Sequence, residues 1–218
     1  MMMKTIRKPA MNKTRPHPVK VSHRPAVEAM NNNFSQLAKK AASCRICSDL
    51  ADQPAALSSA NGSLDANIVF VAEAPGRFGA GRTGVPLQGD RSGDNFEILL
   101  KHIGLTRSEV FITNAVLCNP LADGNNRRPN AKEIKNCSTF LKKSLDIIQP
   151  KVVVTLGTVA LSSLNQLLYT RFKLSQNVAQ PFTTENFTLF PLYHPSPRVT
   201  NWKRPLAQQK KDFKNIPA

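Results

Sequence analysis

Four groups of residues in this chain have the types and spacing to do chemistry. Glu73 stands in Ala72-Glu73-Ala74-Pro75-Gly76, directly after the apolar run Ala66–Ala72. An acid in that position sits at the mouth of a sheet, where loss of water tunes its proton affinity. The glycines that follow, as far as Asp90, let backbone approach a ligand closely and offer N–H groups to a phosphate, although glycine-rich turns after strands are also common without function. Asn114 ends a second apolar run, and its side-chain amide carries a donor and an acceptor side by side, suited either to the edge of a base or to local backbone. His194 precedes Pro195-Ser196-Pro197-Arg198, a proline-stiffened segment that places an imidazole to donate to developing negative charge. The four cysteines are Cys44-x-x-Cys47, Cys118 and Cys137. Four are too few for a disulfide scaffold at this length, and the close pair alone leaves zinc, cluster and redox use open.

The elements that position these groups follow from hydrophobic pattern. Ala66–Ala72, Val110–Val116, Val152–Leu156 and Phe187–Tyr193 are largely apolar runs, as for strands buried on both faces. Helical spacing marks Phe34–Ser43, Asp94–Ile103, Ala131–Ile148, Thr158–Leu168 and Leu206–Lys214. Strands alternating with helices predict a three-layer α/β/α sandwich with a central, mostly parallel four-stranded sheet. In such sheets chemistry collects beyond the carboxyl ends of the strands, which is where Glu73–Asp90, Asn114–Arg128 and His194–Arg198 fall. No internal repeat is visible.

Charge narrows the partner. Thirty Lys+Arg against 14 Asp+Glu give the 218 residues a net charge of +16, which favours polyanions. Residues 1–43 hold nine of the basic residues and one acid, half of the net charge. Four prolines and no periodicity in the first 26 residues predict a flexible basic arm over residues 1–33, ahead of one folded domain over 34–218. No run approaches the ~18 apolar residues that cross a bilayer, and the start has no apolar stretch of a secretory signal.

By order and spacing these motifs resemble the uracil-DNA glycosylase superfamily, most closely its iron–sulfur branch around family 4. The match runs through Glu73-Ala-Pro-Gly, Thr113-Asn114, Leu156-Gly-Thr and His194-Pro-Ser-Pro, and covers about residues 36–215. The resemblance implies an enzyme that flips uracil out of DNA and hydrolyses its N-glycosidic bond, a monofunctional and monomeric protein of the bacterial cytoplasm. It implies that Glu73 positions water or stabilises the cationic sugar and that Asn114 reads uracil. His194 would hydrogen-bond the departing base, with Ala74, Gly76 and Leu87 around it and Ser196 and Arg198 on the DNA backbone. Asn125 or its neighbour Asn126 matches a second family asparagine, and Asn125 is taken here as the catalytic one. Cys44, Cys47, Cys118 and Cys137 would hold a structural [4Fe–4S] cluster, with zinc as the alternative metal.

The sequence departs from that pattern at Pro86-Leu87, where the family has Pro-Phe with a ring that stacks on uracil. Phe78 is a candidate substitute. Ala74 replaces the water-activating aspartate of family 1, as in family 4. The His-containing insert of the enzymes that trap uracil covalently is absent from Asn125-Asn126-Arg127-Arg128-Pro129. Two rivals remain: a non-catalytic nucleic-acid-binding homologue, favoured by Leu87, and a glycosylase for another deaminated base such as hypoxanthine.

Overall fold

The computed structural model describes residues 24–217. In chain order the elements are α1 (Arg24–Ala42), β1 (Ile68–Ala72), α2 (Ala80–Thr83), α3 (Arg91–His102), β2 (Phe111–Asn114), β3 (Leu121–Ala122), β4 (Asn125–Asn126) and α4 (Ala131–Ile148). The second half adds β5 (Val152–Leu156), α5 (Thr158–Leu168), α6 (Leu174–Asn177), β6 (Phe182–Thr183), β7 (Thr188–Leu192), α7 (Pro197–Trp202) and α8 (Leu206–Lys214). The main sheet runs β2-β1-β5-β7-β6. The first four strands are parallel, and β6 pairs antiparallel to β7. The sheet therefore has five strands rather than four. The extra edge strand is two residues long, too short to give an alternating pattern.

Strand alternation between two cores explains why the runs are largely apolar. Val69, Val71, Phe111 and Val153 join the core beneath α1, α4 and α5. Phe70, Ile112, Val154 and Phe190 face the opposite core, against Phe96, Leu99 and Leu100 of α3 and Phe213 of α8. Phe70 packs edge-on to Phe96 at 5.1 Å and stacks on Phe213 at 5.9 Å, geometries that aromatic quadrupoles favour. The three-layer α/β/α sandwich is thus the observed architecture.

Helix ends obey local chemistry. Asn130 and Glu133 form a reciprocal capping box that starts α4, and Asp90 caps α3 by accepting from Gly93 N–H at 3.0 Å. α1 begins at Arg24, ten residues before the expected start at Phe34, because Pro25 lies in the first turn, where no N–H is needed. Residues 24–33 are therefore helix rather than arm. Residues 1–23, the remainder of the expected arm, lie outside the described residues. Phe34 of α1 meets Phe111 edge-on at 5.6 Å, so this helix is part of the main core.

Candidate active site

Register brings the strand ends level: Ala72 pairs with Asn114, Val71 with Thr155, and Leu156 with Leu192. Glu73, Asn114, Gly157 and His194 therefore emerge along one sheet edge. They line a cavity of about 570 Å³ together with Ala74, Gly76, Leu87, Ser196 and Arg198. Every site residue expected from sequence stands there except Asn125 and the cysteines. Gly157, at φ +98°, makes room: a Cβ there would stand 3.3 Å from that of His194.

The loop after β1 is a folded object. Gly76 O accepts from Gly79 and Gly81 N–H at 3.0 and 2.9 Å, starting α2. The Arg77 N–H donates to Asn126 Oδ1 at 2.8 Å, and Asn126 lines the cavity. Asn125 does not: its amide donates to Asp123 O at 3.2 Å. Successive side chains of β4 leave on opposite sides of the strand, so of the two asparagines Asn126 is the one that lines the cavity. Phe78 does not substitute for a stacking ring either. It is 57% exposed, lies outside the cavity, and carries the Arg77 guanidinium 4.3 Å over its face. Leu87 itself forms cavity wall.

His194 is fixed as a neutral donor. Its Nδ1 accepts the Ser196 N–H at 3.2 Å, which leaves the ring proton on Nε2. Burial lowers its pKa to about 4, against a smaller opposing pull from Asp90. The segment that follows it is pinned by α3, since Asn95 donates to Pro195 O at 2.7 Å. Glu73 has a raised pKa through burial, offset in part by Arg128. Asn114 is 3% exposed and its Nδ2 has no hydrogen-bond partner. A buried donor left unpaired is costly, and in a cavity wall it marks the place of an incoming acceptor.

Asp90, Ser92, Thr158, Tyr193, Arg127 and Lys203 also line the cavity and were not singled out from sequence. Asp90 carried a signal, a carboxylate immediately before a helical pattern. Arg127 is committed to Glu133 through two bonds of 2.9 and 2.5 Å, which hold that carboxyl below its usual range. Arg198 and Lys203 form no salt bridge among the described residues, so their charges are free for an anion.

The cysteines come from three segments: Cys44 and Cys47 after α1, Cys118 after β2, Cys137 within α4. All are free thiols, near enough to perturb one another: Cys44 and Cys47 both act on Cys118 and on Cys137. Burial first, then these neighbours, push Cys118 up to about 11 and Cys137 up to about 12. Such thiols stay protonated at neutral pH and ligate only when a metal displaces the proton. Cys47 Sγ accepts from Asn136 Nδ2 at 3.3 Å and Cys137 Sγ from Leu117 N–H at 3.5 Å, the support that ligating sulfurs use. Among the described residues no group of three or more His, Cys, Asp or Glu is gathered tightly enough to hold a metal ion as it stands. Four cysteine sulfurs are nonetheless, by their chemistry, a donor set suited to an iron–sulfur cluster or zinc.

The model of the uracil DNA glycosylase superfamily matches residues 60–216, and the chain belongs to that family. Among its relatives is the type-4 uracil-DNA glycosylase of Archaeoglobus fulgidus, 31% identical over 190 residues, covering 84% of this chain and 92% of that one. The type-4 enzyme of Sulfurisphaera tokodaii is 33% identical over 163 residues, 69% of either chain. A type-5 uracil-DNA glycosylase of Pyrobaculum aerophilum is 31% identical over 159 residues, 66% of this chain and 67% of that one.

Proposed function

We propose that this protein is a uracil-DNA glycosylase that hydrolyses the bond between uracil and deoxyribose and leaves an abasic site. The observation that carries this reading is the unpartnered, buried Nδ2 of Asn114 in the same cavity as the free Nε2–H of His194. Two fixed donors in one cavity suit a base with two carbonyl oxygens. The lines of chemistry agree. As the glycosidic bond breaks, the sugar becomes cationic and the base anionic, so the enzyme must favour both charges at once. Neutral His194 donates Nε2–H to the base oxygen where negative charge grows, Asn114 Nδ2 donates to a second carbonyl, and the Glu73 carboxylate faces the sugar cation. Ala74 has no group to take a proton from water, so Glu73 is the carboxylate assigned to hold it. Hydrolysis without a covalent enzyme intermediate makes the enzyme monofunctional.

Arg198, Lys203 and the Ser196 hydroxyl are assigned to phosphates on either side of the flipped nucleotide. Residues 1–23 carry six Lys/Arg and no acid, and supply salt-sensitive, non-specific affinity for DNA. Cys44, Cys47, Cys118 and Cys137 would hold a [4Fe–4S] cluster. When bound, it ties the segment after α1 to β2 and α4 rather than taking part in hydrolysis. No helix among the described residues is long and apolar enough to cross a membrane. We place the protein with DNA in the cytoplasm, as a monomer.

Leu87 apart, no observation favours a non-catalytic binder, and none favours a hypoxanthine enzyme. Oligonucleotides carrying uracil, hypoxanthine or xanthine, in single strands and in duplexes, test the assignment. Release of uracil with no release of the purines is the expected result, and preferential release of a purine would overturn it.

A further inference from the structure

Leu87 lines the cavity with a backbone that bulky residues avoid, at φ +50°. Its position is imposed from outside the loop. Arg107, in the short 3-10 turn Arg107–Glu109 ahead of β2, donates Nη1–H to Pro86 O at 2.9 Å and Nη2–H to Leu87 O. Its Nε–H donates to Glu97 of α3, and its guanidinium lies 5.9 Å from the centre of the Phe96 ring. Gly93 lets α3 close on the same carbonyl, because a Cβ there would stand 2.6 Å from Leu87 O. The turn that presents Arg107 is itself fixed, with Thr106 and Glu109 forming a capping box.

We propose that Arg107 is a positioning residue that holds Leu87 in its left-handed conformation as the wall against which the target base lies. A guanidinium presents parallel N–H groups that satisfy two successive carbonyls together, which an ammonium on a flexible stem does not do. Without those bonds a leucine relaxes toward negative φ, and the rotation carries its side chain off the cavity wall. The smaller aliphatic wall needs this help more than a stacked aromatic ring does, because it has only contact and no π-face with which to hold the base. Arg107 touches neither base nor DNA in this account and acts through Leu87 alone.

The kinetic test rests on the glycosylase reading, and a second readout does not. Arg107→Met is expected to raise KM for a uracil oligonucleotide roughly tenfold with a smaller change in kcat, since wall contacts serve the ground and transition states alike. Arg107→Lys restores less than half of that loss. In a Leu87→Gly background, where positive φ is unstrained and no side chain remains to aim, Arg107→Met changes kcat/KM less than about twofold. Equal losses in both backgrounds would mean that Arg107 merely stabilises the fold, and would overturn the proposal. Hydrogen exchange of the amides at 85–90, excluding Pro86, reads the same clamp without catalysis: faster exchange in Arg107→Met supports it, and unchanged exchange refutes it. If the unaltered protein releases no uracil, the glycosylase reading falls and this second readout still decides the clamp.

Discussion

The backbone N–H of Ser196 donates to Nδ1 of His194 at 3.2 Å, and this one bond decides what the imidazole is for. With Nδ1 an acceptor, the neutral ring carries its proton on Nε2 and is a donor there, not a base. Burial keeps it neutral through the physiological range, with a pKa lowered to about 4. Two consequences follow for pH. Unfolded His194 takes up a proton near 6.5 and the folded ring only near 4, so between these values the unfolded state binds more protons. Stability is therefore retained above pH 6.5 and lost as pH falls toward 4. Denaturant titrations at pH 7 and pH 5 should show a smaller loss in His194→Gln than in the unaltered chain; an equal loss would deny the depressed pKa.

Under the proposed function, Glu73 should set the acid limb of activity instead. Its pKa is raised, so its charged form is lost at a higher pH than for an ordinary glutamate. Single-turnover rates should fall on the acid side at a higher pH than an ordinary glutamate would set. Glu73→Gln should lower the rate roughly a hundredfold and flatten that limb. A limb of unchanged position in Glu73→Gln would assign it to another group.

Asn114 places function against stability. Its Nδ2 is buried without a partner, a cost the folded chain bears until a ligand arrives. Asn114→Leu, similar in volume, should leave the thermal midpoint unchanged or higher and cut uracil release by about 10²–10³-fold. A clear loss of stability would show that the amide serves the fold.

The cysteines predict a metal content. Protein made in iron-replete cells should carry about four iron and four sulfide per chain, and Cys118→Ser should lose them together with several degrees of thermal stability. One zinc per chain with no sulfide would replace the cluster with the alternative metal.

Much of this was legible in the sequence, for identifiable reasons. α4, α5 and α8 run between the residues expected because strong local signals bound them, such as the Asn130–Glu133 box and Gly157. Glu73, Asn114 and His194 were legible because each ends or follows a largely apolar run, which sends it to one sheet edge. Short elements were not. β3, β4 and β6 have two residues each, a single period of strand alternation, and so Asn125 was not separable from Asn126 until the fold showed which of them lines the cavity. Asn95 and Arg107 act on Pro195 and Leu87 across 100 and 20 residues of chain, and no spacing rule reaches that far.

Single-turnover cleavage of a uracil-containing oligonucleotide by the full chain at low salt, beside Glu73→Gln and His194→Ala, tests the central claim most directly. Stoichiometric uracil release and an abasic site are expected, with both variants slower by about 10²–10³-fold. No release by the unaltered protein, or variants as fast as it is, would contradict it.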